Sequence, residues 1–148
     1  MIPWQTLDTA TVPDGGELRL MQRGSEFAIR TATTELMNSR LSGSEQALAA
    51  LSCERIKDRK PCSILIGGYG MGFTLRAALA ALNTDADITV AEIVPKIIQW
   101  ARGPMAELTG TSLDDPRVTL REIDVRKIIA ESTARFDAIL LDVDNGPE

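Results

Sequence analysis

Hydrophobic and polar positions change rhythm near Pro61. Before it, WQTLDTATV (4–12), ELRLMQR (17–23) and EFAIRT (26–31) read as strands, parted by Pro13-Asp14-Gly15-Gly16 and by Gly24-Ser25. A short antiparallel β meander is expected. A helix follows over about 43–58. Ser42 and Glu45 have capping-box spacing, and Leu48, Leu51, Ser52 and Ile56 form its expected inner arc.

After Pro61 short apolar runs alternate with helical stripes. SILIG (63–67) reads as a buried strand, and Leu75, Ala78, Leu79 and Leu82 recur at i, i+3, i+4, i+7. DITVAE (87–92) reads as a second strand, and a helix starting at Pro95 keeps Ile97, Ile98 and Ala101 inward until Gly103. RVTLREI (117–123), a helix over 125–134 and FDAILLD (136–142) complete the series. This alternation predicts a parallel, right-handed α/β sheet. The expected organisation is a β meander over 1–40 and an α/β unit over 41–148.

Composition narrows the chemistry. At 148 residues and a formal net charge of −5, the chain repels a phosphate backbone on average, so no nucleic-acid partner is expected. No apolar run approaches a membrane span, and the start lacks a signal-peptide layout, so a cytoplasmic protein without a membrane partner is expected. The count of histidine is 0, and Cys53 and Cys62 lack CxxC spacing, so no metal site is expected. Acid and base work falls to carboxylates, lysine or the lone Tyr69.

The candidate site is the stretch Gly67-Gly68-Tyr69-Gly70-Met71-Gly72, where the first parallel strand meets its helix. Ligands of parallel α/β sheets bind beyond the carboxyl ends of strands, and glycine lets a ligand approach the backbone. Glu92, which ends the second strand, could accept both hydroxyls of a ribose. The loop reads GxGxG over 68–72, with its third glycine one position early for the dinucleotide fingerprint.

These residues carry a resemblance. ILIGGYGMGFTLRAAL, ITVAEIVPKIIQWAR, DDPRVTLREIDVRKII and FDAILLDVDNGPE are similar to stretches of the class I S-adenosylmethionine-dependent fold, and specifically of the spermidine synthase (polyamine aminopropyltransferase) family. The resemblance implies a Rossmann-like sheet of order 3-2-1-4, preceded by a small β meander and lacking later strands. It implies S-adenosylmethionine or its decarboxylated form as co-substrate. Gly68, Gly70 and Gly72 would lie under the methionine-like moiety, with Tyr69 stacking on the ligand or covering the loop. Glu92 would hold the ribose and Asp124 the adenine amino group. Asp142 would face the reacting amine, with Asp144 assisting.

The chain departs from the family in three places. The loop lacks the aspartate of the family's GGGDGG. The second acid after the fourth strand is shifted by one, and TTELMNSRLSG (33–43) has no counterpart of the family's Tyr-His pair. Three readings follow: aminopropyl transfer to a small amine, methyl transfer to a methyl acceptor, or a non-catalytic nucleoside-binding or assembly module. AILL (138–141) would form a free sheet edge, so self-association, as a dimer, is expected.

Overall fold

A computed structural model describes residues 2–40, 43–131 and 136–141. Strands β1 (Gln5–Thr11), β2 (Glu17–Arg23), β3 (Glu26–Arg30) and β4 (Glu35–Asn38) form an antiparallel sheet in that order. The β1–β2 turn follows from its residues. Gly15 takes a positive φ of 93°, and Asp14 Oδ1 accepts the Gly16 N–H at 2.9 Å. In β2 and β3 the pairing Leu20↔Ile29 puts two fully buried side chains on the inner face. β4 was not expected from the sequence, because four residues are too few to show a period.

The second sheet is parallel. It contains β5 (Ser63–Gly67), β6 (Asp87–Ala91), β7 (Val118–Arg121) and β8 (Ala138–Leu141), in spatial order β7-β6-β5-β8. Helices α2 (Phe73–Ala81), α3 (Pro95–Arg102), the short α4 (Ala106–Thr109) and α5 (Val125–Glu131) connect them, with a 3-10 turn at Ser112–Asp114. The mixed α/β class expected from the sequence is the one observed.

β5 is buried on both faces. Ile64 and Ile66 join the main core with α1 (Gly43–Ile56), α2, α3 and the inner face of the antiparallel sheet. Leu65 points the other way, into a smaller cluster with Ala91 and Ile128 of α5. The main core therefore runs continuously from the antiparallel sheet into the parallel one, through Leu20, Ile29, Tyr69, Met71 and Trp100.

One expected packing face is corrected. Of the expected arc of α1, Ile56 is buried, but Leu48 and Leu51 are 43% and 70% exposed, and Ala49 and Cys53 are buried instead. Both sets have helical spacing. The side facing α2 is filled by small residues, Ala49 and Cys53 on α1 and the fully buried Ala78 on α2, which let the helices approach closely. Ser42, the other half of the expected capping box, lies outside the described residues. The predicted stripe of α2 and the inner residues Ile97, Ile98 and Ala101 of α3 are packed inward.

Candidate functional site

The glycine loop begins where β5 ends. Gly68, Gly70 and Gly72 have φ of 92°, 57° and 80°, a region that L side chains resist. Gly72 is the N-cap of α2, and no side chain caps that helix. Two of these glycines also have protein against them. A β-carbon on Gly72 would stand 2.5 Å from the Tyr69 hydroxyl oxygen, and one on Gly70 would stand 3.1 Å from Met37 Sδ. The protein's own side chains therefore take up the space left by two of the missing ones.

Tyr69 divides its roles. Its ring is buried under the loop, and its hydroxyl has no hydrogen-bond partner among the described residues. Burial pushes its phenol above the usual value. The nearby Thr109 hydroxyl pulls the other way, but already donates to the Ala101 carbonyl at 2.8 Å. Its backbone N–H faces the site and donates to Glu92 Oε1 at 2.9 Å.

Glu92 follows β6 directly and is 5% exposed. Its second oxygen, Oε2, accepts the Val94 N–H at 3.0 Å. An ionised carboxylate offers about four lone-pair positions. Two backbone donors therefore leave one acceptor position on each oxygen. The Gly68 N–H donates to the Ala91 carbonyl at 2.7 Å, which holds the loop against the end of β6. Gly68, Tyr69 and Glu92 thus lie together at the carboxyl ends of the neighbouring strands β5 and β6.

Asp124 sits at the start of α5. Its Oδ1 accepts the Arg126 N–H at 2.9 Å, an N-cap bond, and its Oδ2 pairs with Arg126 Nη2 at 2.7 Å. The hydrogen-bonded Arg126 guanidinium holds the Asp124 carboxyl below its ordinary range. Asp142 and Asp144 lie outside the described residues. The strand before them runs parallel to β5, with Leu141 opposite Gly67.

Sequence reasoning missed Met37, which approaches the loop from β4, and nothing in its local pattern marks it. A separate cleft of about 550 Å³ lies between α2 and the 3-10 turn, walled by Arg76, Thr109, Ser112 and Asp115 among others, and contains none of the predicted site residues. Among the described residues, no group of three or more His, Cys, Asp or Glu is placed to hold a metal ion. Among them, no helix is long and apolar enough to cross a membrane.

A parallel sheet with a glycine turn at one strand end and a buried acid at the next makes this an α/β protein, and its fold is similar to that of solved spermidine synthases. Spermidine synthase from Thermotoga maritima superposes with a TM-score of 0.76 at 18% identity, covering 97% of this chain and 48% of that one. A spermidine synthase in complex with the transition-state analogue AdoDATO gives 0.75, also at 18% identity, over 93% and 47% of the two chains. In sequence, the polyamine aminopropyltransferase of Sulfolobus acidocaldarius is 36% identical over 83 residues, which is 56% of this chain and 27% of that protein. That of Korarchaeum cryptofilum is 31% identical over 83 residues, 56% and 25% of the two. No protein-family model matches. The resemblance read from the sequence is therefore found in both comparisons, although the chain spans only about a quarter of the curated relatives' length.

Proposed function

We propose that this chain carries the nucleoside-binding part of a spermidine synthase-like transferase. It binds a sulfonium nucleoside, decarboxylated S-adenosylmethionine or S-adenosylmethionine itself, and transfers an aminopropyl group to an amine. One observation carries the reading. Glu92 is buried at the strand end beside the glycine turn, its carboxylate fixed by two backbone donors with one acceptor position left on each oxygen. Two neighbouring ribose hydroxyls match that donor requirement. Gly68 supports the ligand with its backbone, as Gly70 and Gly72 do from beneath their own covering side chains. Tyr69 contributes its amide, and Asp124 offers the adenine amino group an oxygen near the start of α5.

The reaction needs little of the protein beyond placement. The amine lone pair attacks the carbon next to the sulfonium. The carbon–sulfur bond breaks, its electrons stay on sulfur, and a neutral thioether leaves without an acid. An amine with a pKa of about 10 is mostly protonated at neutral pH, so a carboxylate must take or steer its proton. Asp142, next in the chain after Leu141, is assigned that role, with Asp144 assisting. No metal is required.

A methyltransferase is the second reading, favoured by the absence of any carboxylate in the loop over 67–72 and of a Tyr-His pair in the stretch over 33–43. Among the described residues β8 pairs on one side only, with β5, and its Ile139 and Leu141 are 43% and 53% exposed, which supports association with a second copy. A cytoplasmic site of action suits the small-molecule chemistry.

Calorimetric titration with decarboxylated S-adenosylmethionine, S-adenosylmethionine and methylthioadenosine separates the readings. Preference for the decarboxylated form is expected, and preference for S-adenosylmethionine selects methyl transfer. No binding by any of the three overturns both and leaves a non-catalytic module. Glu92→Ala is expected to weaken the bound nucleoside by about 1–3 kcal/mol, the scale of a lost charged hydrogen bond.

A further inference from the structure

The antiparallel sheet reaches the glycine loop through one side chain. Met37 lies opposite Ile29 in the β3–β4 pairing, and Ile29 is fully buried on the inner face. The register slips between Ile29 and Arg30, since Met37 pairs with Ile29 but Glu35 with Arg30. Leu36 is the extra residue. Such bulges bend a strand and re-aim its side chains. Met37 emerges half-buried, packed on the main core, with its sulfur against Gly70.

The residue just before Gly70 matters. Gly70 follows Tyr69, whose N–H donates to Glu92 Oε1 at 2.9 Å. Gly70 has φ of 57° and no side chain of its own to brace it. The Gly72 N–H donates to the Tyr69 carbonyl at 2.9 Å across Gly70, so a change in the Gly70 backbone is passed back to Tyr69, whose amide meets the carboxylate. A thioether is polarizable and flexible enough to fill the irregular space over a bare peptide.

We propose that Met37 is a positioning residue for the nucleoside site: it clamps Gly70, and through the Tyr69 amide it sets the orientation in which Glu92 meets the ribose. The inference rests on the nucleoside reading above. It makes the antiparallel sheet a working part of the site, although no residue of that sheet need touch the ligand.

The test uses the full chain, with Met37→Ala and the conservative Met37→Leu. Amide hydrogen exchange without ligand reports the clamp directly. In Met37→Ala the Tyr69 amide is expected to exchange about tenfold faster relative to the amides of β5, and Met37→Leu to restore the ratio. Titration with methylthioadenosine and with its 2′,3′-dideoxy analogue reports the ribose grip. Met37→Ala is expected to weaken the first about tenfold, the lower range for a charged hydrogen bond, and to leave the second unchanged.

A purely structural role would lower thermal stability without moving either ratio. Unchanged relative exchange at Tyr69, or equal weakening of both nucleosides, overturns the proposal. If the unmodified chain binds neither nucleoside, the nucleoside reading fails, and the exchange ratio alone decides whether Met37 holds the loop. If Met37→Ala loses protection throughout, Met37→Val replaces it in the same measurements.

Discussion

The indole N–H of Trp100 donates to Oδ2 of Asp8 at 2.9 Å, across 92 positions of sequence. Lys96 Nζ reaches the same oxygen at 2.9 Å. Both donors come from α3, and Asp8 stands on β1 just past a register slip that follows Thr6. These bonds, led by that from Trp100, hold the Asp8 carboxyl down at about 2, against an ordinary 3.8. The folded-state value lies below the unfolded one. The stabilisation is therefore present above about pH 4 and is lost as pH falls toward 2. Asp8→Asn is expected to flatten the loss of thermal stability between those limits. Melting curves across that range check it, and an acid profile identical to that of the unmodified chain contradicts the assignment.

Gly72 has no room for a side chain. With φ of 80° and the Tyr69 hydroxyl oxygen 2.5 Å from the missing β-carbon, Gly72→Ala meets both backbone strain and a clash with a buried ring. Strain of this kind costs about 1–3 kcal/mol before the clash is counted. Pairing Gly72→Ala with Tyr69→Phe should recover part of the loss, because the crowded oxygen is removed. Denaturant titrations of the single and double variants measure it, and additive losses would show that the hydroxyl oxygen is not the obstacle.

Cys53 is fully buried and Cys62 nearly so. Burial pushes the Cys53 thiol up to about 11, and Cys62 is raised for the same leading reason. Because these values exceed the ordinary 9.0, the protonated form is the one stabilised by folding, an advantage lost as pH climbs from 9 toward 11. At pH 8 neither thiol should react with an aromatic disulfide reagent until the chain is unfolded, when both should. Rapid labelling of the folded chain would show that this part of the core opens.

Asp124 caps α5 through the Arg126 N–H. Its carboxyl is held low by Arg126, so the stabilisation is present above the ordinary carboxylate range and fades as pH falls through the lowered value. Asp124→Asn keeps a capping oxygen and should remain folded with little change in melting temperature. Asp124→Ala should melt lower. If Asp124 also meets the adenine amino group, Asp124→Asn weakens methylthioadenosine binding while leaving stability near that of the unmodified chain. Unchanged affinity in a folded Asp124→Asn would leave it as a cap alone.

The β8 edge gives a prediction on assembly. Ile139→Lys places a charge on the half-exposed face of that strand, the device by which natural edge strands avoid pairing. Light scattering should show association of the unmodified chain at micromolar concentration and a shift toward monomer in Ile139→Lys. A clean monomer before substitution would remove self-association from the reading.

Several elements were legible because their signals are local. SILIG and DITV are short apolar runs bounded by Pro61, glycine and Asp85, and Leu75, Ala78 and Leu82 mark one helical face without reference to anything distant. The glycines at 68, 70 and 72 announced a positive-φ turn, which the structure has. What fills the space beside two of them was not legible. Met37 arrives at Gly70 from 33 residues upstream on a four-residue strand, and the Tyr69 ring turns inward under Gly72. The exposed face of α1 was misjudged for a related reason. Leu48 and Leu51 outrank Ala49 and Cys53 in hydrophobicity, but the close approach of α2 selects by size.

Taken alone, the order of residues determined a meander followed by alternating strands and helices, a glycine turn and an acid one strand over. Each depends on neighbours within a few positions, where backbone sterics and side-chain period act. Tertiary structure alone decided that the meander packs onto that turn through Met37, that Asp8 meets Trp100, and that Glu92 spends two of its acceptor positions on backbone amides. Those contacts join segments far apart in the chain, and only the shared burial of both partners brings them within reach.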